Sequence, residues 1–282
     1  MRSNHKQREF LMSDKDFNQI REMAIEHTGI SLSPQKKEMI YSRLARRIRT
    51  LKMENFASYI QYLEKDPDSE MSGFVNAITT NLTSFFREDH HFKYLSNTVF
   101  PEIAKKRKTD KRVRIWSAGC STGEEPYSLA ITLLESKFFH GGSWDVRVLA
   151  TDLDTDVLSH GERGDYDLNR VEGINAAIRR KWFDHCKDKD RKVVHVSNQL
   201  KRVITFNQLN LMKEWPMSGK FDVIFCRNVV IYFDKETQKK LFDRYADMLE
   251  EGGYLFIGHS ESLHAVTDRF ESLGRTIYRK KH

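Results

Sequence analysis

Only three of the 282 residues are cysteine. Cys120, Cys186 and Cys226 form an odd, widely spaced set with no C-x-x-C pair. That points away from a disulfide framework or a zinc cage, and fits a reducing cytoplasm. Long apolar runs are missing too: stretches such as Val229-Val230-Ile231 are far too short to cross a bilayer. The opening Met1-Arg2-Ser3-Asn4-His5-Lys6 is charged and has no apolar stretch behind it, so no secretion signal is expected. Internal repeats and low-complexity tracts are absent. What is present is ordinary for a folded globular protein: 39% hydrophobic, 31% charged and 11% aromatic residues, enough for a sizeable core. The length allows one large domain or two modest ones. A net charge of +7 favours acidic partners, with nucleic acid, anionic lipid and acidic protein surfaces all open.

Residues 1–80 read as helices. Ser13 and Asp16 form a capping-box pattern opening a helix over Asp14–His27, with Gly29 as its stop. Ser33-Pro34 offers an N-cap and an N1 proline for a second helix running to about Leu51, striped by Ile40, Leu44, Ile48 and Leu51. Phe56, Tyr59, Ile60 and Leu63 mark a third helix, ended by Asp66-Pro67-Asp68, and a fourth is expected over Met71–Ile78. Residues 81–111 read as a linker and connecting helix, and 112–282 as a second domain.

From Arg112 the pattern changes to short apolar runs: Val113–Trp116, Val146–Ala150, Val203–Phe206, Val223–Cys226 and Tyr254–Ile257. Helical patterns at Pro126–Glu135 and Lys235–Leu249 lie between some of them. This alternation predicts an α/β fold with a parallel sheet covered by helices on both faces. Thr276–Arg279 is expected to join as an antiparallel neighbour of the strand before it. At about 161–200 the rhythm breaks; Val193-Val194-His195-Val196, beside Lys187-Asp188-Lys189-Asp190, predicts a small β insertion.

Open α/β sheets bind ligands beyond the carboxyl ends of their strands. The first strand here runs into Ser117-Ala118-Gly119-Cys120-Ser121-Thr122-Gly123-Glu124-Glu125-Pro126. Gly119 and the small residues let a ligand approach the backbone, although an ordinary strand-to-helix turn would look similar. The loop is neither a P-loop nor G-x-G-x-x-G. Glu124 and Glu125 would repel a pyrophosphate and suit a sulfonium or an α-amino group, which points to S-adenosylmethionine. Asp152 ends the second strand, where an acid can accept from both ribose hydroxyls; Asp154 can instead cap the next helix. Asn210-Leu211 follows the third strand, and can hold adenine by edge and face. Arg227-Asn228 follows the fourth. Polar groups at four successive strand ends are harder to dismiss than any one of them.

Four segments carry a family resemblance: Thr80-Asn81-Leu82-Thr83-Ser84-Phe85-Phe86-Arg87, Ser121-Thr122-Gly123-Glu124-Glu125-Pro126-Tyr127-Ser128, Phe225-Cys226-Arg227-Asn228-Val229-Val230-Ile231-Tyr232-Phe233 and Gly258-His259-Ser260-Glu261-Ser262. Together they resemble the chemotaxis protein methyltransferases (CheR), from about residue 12 to the C-terminus. The resemblance implies a helical N-terminal domain, then a class I (Rossmann-like) methyltransferase sheet with a small inserted β subdomain. It implies S-adenosylmethionine as donor, with S-adenosylhomocysteine as product and no metal, and receptor glutamates as acceptors. It carries cofactor contacts onto Asn81, Thr83, Arg87, Glu125, Asp152, Asn210, Leu211, Arg227 and Asn228. The expected location is the cytoplasm, at membrane receptor arrays, without insertion into the membrane.

A glutamate acceptor has a pKa of about 4.3 and is already ionised at neutral pH, so no general base is needed. Arg87 suits the task of holding it, since a guanidinium grips carboxylate by a directional fork; an interdomain salt bridge is the competing role. Tyr232 can orient the acceptor or the methionine moiety, or be a core tyrosine. On the second helix, Lys36, Arg43, Arg46 and Arg47 share an arc of roughly 100°. This is a candidate face for a Glu-rich receptor coiled coil, or simply a solvated face. Lys105-Lys106-Arg107-Lys108 reads as a solubilising helix end. His90-His91 is not spaced for a metal, and His259 reads as structural or bordering the pocket. The β insertion can take a receptor tail by strand addition. An RNA methyltransferase or a non-catalytic S-adenosylmethionine-binding module are the alternatives. The first would want a base-stacking platform, which is not evident; the second would want Arg87 and the Asn228–Tyr232 surroundings lost, yet they are present.

Overall fold

In a computed structural model, which describes residues 8–139, 144–185 and 192–281, the chain forms two compact units, Met1–Thr80 and Asn81–His282. Cys186 and the Lys187–Asp190 run lie outside the described residues, as does the Met1–Lys6 segment.

The first unit is all helical. Helix α1 (Asp14–Thr28) opens on a complete capping box, Ser13 with Asp16, and closes at Gly29 in the left-handed region. Before α2 (Lys37–Thr50) the chain makes a 3-10 turn over Pro34–Lys36, and Ser33 makes no side-chain cap bond. Ser33 and Pro34 therefore hold the expected N-cap and N1 positions, but of a tighter 3-10 first turn. Asn55 and Ser58 cap α3 (Phe56–Lys65) reciprocally. Asp66 ends α3, but Pro67 does not lead into a loop: it is the first residue of α4 (Pro67–Ile78). Proline is harmless at that position, where its missing N–H would have no helical partner. Ile20, Ile40, Leu44, Ile48, Phe56, Tyr59, Leu63 and Phe74 close the core of this unit.

Two cations of the α2 arc are committed inside it. The Arg47 guanidinium grips the buried Glu70 with Nε and Nη2, each at 2.5 Å, and Tyr59 Oη donates to the same carboxylate at 3.0 Å. Arg43 Nη1 reaches the carbonyls of Ile78 (3.3 Å) and Thr79, closing the C-terminal end of α4. Lys36 is half-buried, and burial, helped by Arg43, lowers its pKa. Arg46 is exposed. Lys36 ends the 3-10 turn rather than standing on α2, and a uniformly solvated cationic face is not what the four residues form.

The second unit begins with α5 (His90–Tyr94), a π turn (Leu95–Val99) and α6 (Phe100–Lys106). Its sheet is assembled from β1 (Arg112–Ala118), β2 (Asp145–Asp152), β6 (Ile204–Gln208), β7 (Phe221–Cys226), β8 (Leu249–Ile257), β9 (Phe270–Ser272) and β10 (Ile277–Lys280), in the order β6-β2-β1-β7-β8-β10-β9. The first five strands in that order are parallel; β10 runs antiparallel to β8, as expected. The three-residue edge strand β9 was not anticipated, being too short to show a period. Helices α7 (Glu124–Glu135), α8 (Thr155–Arg163) and α12 (Lys235–Met248) cover the sheet.

Strand residues alternate between two buried faces, so the strands read as nearly continuous apolar runs. Val113, Ile115, Val148, Val223, Phe225 and Phe256 join one core with Phe92, Leu95, Phe100 and Tyr127. Trp116 points the other way, ring against Tyr245 and Trp215, with Nε1 donating to Thr151 Oγ1 at 2.8 Å. Within 165–197 lies a separate antiparallel sheet, β3 (Asp165–Asp167), β4 (Phe183–His185) and β5 (Val193–Val196), ordered β3-β5-β4. Short helices α9 (Leu168–Val171) and α10 (Ala176–Trp182) accompany it, and α11 (Asn198–Lys201) returns the chain to the main sheet. Arg107, expected in a solubilising helix end, is instead largely buried and paired with Asp222 (2.9 Å), Glu250 (2.8 Å) and Asp110 (2.9 Å). Among the described residues no helix is long and apolar enough to cross a membrane.

Candidate active site

The strand order reverses at β1: the chain runs outward through β2 and β6, then returns to β7 on the other side. Such a switch point leaves a crevice at the carboxyl ends of the strands. The loops that reach it are backbone-strained. Phe86, Glu88, Ser121 and Asn228 all have φ between 49° and 58°, in the left-handed region. Non-glycine residues held there cost about 1–3 kcal/mol each and persist where their surroundings over-determine them. Gly119, at φ 85°, meets this loop cluster closely: a Cβ there would lie 2.3 Å from Val229 Cγ2. At Gly258 a Cβ would lie 2.5 Å from Asn228 Nδ2, so only a bare residue lets the Asn228 amide lie against the end of β8.

Two groups of predicted residues converge here. In the first, Asp152 accepts from the Ser121 amide at 2.8 Å and the Asp154 amide at 3.1 Å. Asp154 caps α8 by accepting from Asp156 and Val157 amides, and takes a bond from Asn81 Nδ2 at 2.7 Å. Ser121 Oγ donates to the Asn81 carbonyl at 2.9 Å. Asn81 thus stitches its segment to the β1 and β2 loops. The Thr83 carbonyl accepts from Arg170 at 2.8 Å.

The second group centres on Arg227, whose side chain is 2% exposed. Its Nη1 lies 3.2 Å from Glu125 Oε2, and its Nη2 lies 3.3 Å from Glu88 Oε2 and donates to the Arg87 carbonyl. Ser117 Oγ donates to Glu125 Oε1 at 2.7 Å. Arg87 is half-buried, and its Nη1 donates to the Leu82 carbonyl at 2.9 Å. Glu88 Oε1 also accepts from His259 Nδ1 at 2.9 Å, so His259 does border this cluster. Asn228 is tied in from β8: Glu261 Oε2 accepts from the Asn228 amide (2.9 Å) and the Gly258 amide (2.6 Å).

The remaining predicted residues are more loosely linked. Leu209 N donates to the Asp152 carbonyl at 2.9 Å, bringing the Asn210-Leu211 turn beside the β2 end. Asn210 Oδ1 accepts from the Met212 amide at 2.9 Å, and the Leu211 carbonyl accepts from Arg244 at 2.6 Å. Tyr232 ends a 3-10 turn, Val230–Tyr232, just past Asn228. Glu124, expected beside the ligand with Glu125, is buried and bound by Thr122 Oγ1 (2.6 Å) and Arg170. Sequence reasoning gave no role to Glu88 or Glu261. Glu261 lies within Gly258–Ser262 and Glu88 immediately after Thr80–Arg87, but neither belongs to a periodic pattern.

Burial pushes Asp152 above the usual carboxylate range, against its amide bonds. Burial likewise raises Glu125, against Arg227 and Ser117. Burial would raise Glu88 too, but His259 and Arg227 prevail and lower it. Groups that are costly to ionise in isolation are favoured as anions by a cation or by hydroxyl donors. A carboxylate has about four acceptor positions, and the Ser121 and Asp154 amides occupy two on Asp152. This set of acceptors fits the hydroxyls of a ribose and a cationic amino-acid end.

The buried His91 has its pKa lowered to about 4 from 6.5, by burial first and then by Arg227. The unfolded chain therefore binds this proton between pH 6.5 and about 4 while the folded chain does not. Stability contributed by neutral His91 is full above 6.5 and falls on acidification by up to about 1.4 kcal/mol per pH unit. Urea midpoints at pH 7 and 5 should show this fall, and His91→Gln should flatten it.

The domain described as "CheR methyltransferase, all-alpha domain" matches residues 15–79, and "CheR methyltransferase, SAM binding domain" matches residues 81–279. A protein of Rhizobium etli named "Probable chemotaxis protein methyltransferase" is 42% identical over 259 residues, 91% of this chain and 96% of its own. "Chemotaxis protein methyltransferase 2" of Pseudomonas aeruginosa is 42% identical over 273 residues, 96% of this chain and 94% of its own. The "Chemotaxis protein methyltransferase" of Salmonella typhimurium is 40% identical over 269 residues, 95% of this chain and 90% of its own. With both domains matched in order and relatives 40–42% identical over most of the chain, the chain belongs to the CheR family of S-adenosylmethionine-dependent methyltransferases.

Proposed function

We propose that the protein transfers the methyl group of S-adenosylmethionine to glutamate side chains of chemotaxis receptors, giving methyl esters used in sensory adaptation. The observation that supports this reading is that Asp152 ends β2, on one side of β1, and Arg227, linked to Glu125 and the Arg87 carbonyl, follows β7 on the other. Bound there, S-adenosylmethionine supplies a methyl group activated by the positive charge on sulfur. Asp152 would accept hydrogen bonds from the ribose hydroxyls, and Glu125 would attract the cationic end. Gly119, Asn81, Thr83, Asn210, Leu211, Arg227 and Asn228 complete the donor shell. Arg87 holds the acceptor carboxylate, and Tyr232 orients it or the methionine moiety. The acceptor is ionised at neutral pH, so these residues need only align and desolvate it, a contribution of roughly 7–11 kcal/mol. Receptor-containing membranes and RNA, each incubated with methyl-labelled donor, test this reading. Label should enter the receptors; label in RNA alone would defeat it.

The receptor is approached in the cytoplasm, at membrane arrays. On α2 the exposed Arg46 is the residue available for steering toward a Glu-rich coiled coil, since Arg43 and Arg47 serve the helical unit itself. Arg46→Glu should raise the KM for receptor several-fold at low salt, less at high salt, with donor affinity unchanged. Initial-rate kinetics at two ionic strengths check it. Both outer strands of the small sheet, β3 and β4, are edges, which supports strand addition by a receptor tail.

A further inference from the structure

Glu88 is a buried carboxylate with no part in the mechanism above. It follows Arg87 directly, and left-handed backbone at Phe86 and Glu88 brackets that arginine. Its side chain is 11% exposed and is aimed inward at Arg227. One guanidinium therefore lies between two carboxylates: Glu125 at 3.2 Å from Nη1 and Glu88 at 3.3 Å from Nη2. On the far side of Glu88, Oε1 is held by the His259 side chain at 2.9 Å and by the His259 amide at 3.3 Å. His91 faces Oε2 from α5 at 3.6 Å, and Arg227 rests over the Phe92 and Phe225 rings.

The charge count matters. With Glu125 as its only anionic neighbour, a buried Arg227 would neutralise that carboxylate and remove its attraction for a cation. Arg87 acts on Glu125 as well, so the two arginines alone would outweigh it, and Glu88 on the same guanidinium restores the balance of charge. We infer that Glu88 is a positioning residue for methyl transfer, sharing Arg227 so that Glu125 keeps charge available for the cationic donor. Its contact with Nη2 also fixes the guanidinium that donates to the Arg87 carbonyl, so the same group sets the Arg87 loop. This rests on the donor-site reading given above.

The test compares two ligands that differ in charge at sulfur. Calorimetric titrations with S-adenosylmethionine and S-adenosylhomocysteine give the dissociation constants for the full chain, Glu88→Gln and Glu88→Asp. Glu88→Gln should weaken S-adenosylmethionine about tenfold, and the neutral thioether less than about threefold. Glu88→Asp, which keeps the charge, should retain the preference of the unmodified chain. Unchanged S-adenosylmethionine affinity in Glu88→Gln, or equal losses for both ligands, would overturn the inference. If Glu88→Gln does not fold, loss of the preference in Glu88→Asp overturns it as well. An unmodified chain that bound neither ligand would instead remove the donor-site reading, and this inference with it.

Discussion

Arg87→Ala is expected to lower kcat for receptor methylation about 100-fold or more, with donor affinity changed only several-fold. The reasoning starts from the backbone. Two left-handed residues, Phe86 and Glu88, flank Arg87, and its carbonyl is held by the buried Arg227. A loop fixed this firmly has a purpose for its side chain, yet the Arg87 guanidinium forms no ion pair among the described residues; its Nη1 donates to the Leu82 carbonyl. A cation near Glu125 without an ion-pair partner of its own is suited to an incoming carboxylate. Loss of such a contact is felt chiefly in the step that uses the acceptor. Single-turnover rates with saturating donor measure it, and near-normal turnover would remove Arg87 from the reacting centre.

Asp152→Ala should raise the dissociation constant for S-adenosylhomocysteine about 100-fold, a loss comparable to leaving buried hydroxyl donors unmatched. Asp152 has two duties that the substitution removes together. It accepts from Ser121, holding that residue left-handed, and offers its remaining acceptor positions to the ligand. Asp152→Asn separates them. It keeps an oxygen for one amide while giving up charge and acceptor capacity, so its affinity should fall between the two proteins. An alanine protein that binds within threefold of the unmodified chain would show that the ribose lies elsewhere.

The sheet was legible because its parallel strands are buried on both faces, and burial of that kind writes continuous apolar runs such as Val223–Cys226. Polar residues immediately after those runs pointed to the carboxyl edge, where Arg227 pairs with Glu125 and Asp152 ends the strand beside β1. Pairings far apart in sequence were beyond reach. Glu88 and Arg227 are separated by most of the catalytic unit, and Glu70 reaches Arg47 only once α4 has folded against α2. A helical wheel gives the direction of Arg43 and Arg47 but cannot show that α4 presents a carboxylate and its C-terminal carbonyls to them. Pro67 misled for a related reason: the same residue ends one helix and begins the next, and local chemistry alone does not choose between these. Glu124 and Glu125 are adjacent and chemically identical, so only the turn of α7 decides that Glu124 meets Arg170 and Glu125 meets Arg227.

The bond made to the receptor tests the central claim most directly. After methylation with labelled donor, the modified receptor is exposed to mild alkali and the vapour is collected. A carboxylate acceptor yields an ester, so the label should leave as volatile methanol. Label that stayed on the protein through this treatment would mean that nitrogen or sulfur had been methylated, contradicting an arginine-held carboxylate beside the Asp152–Glu125 pocket.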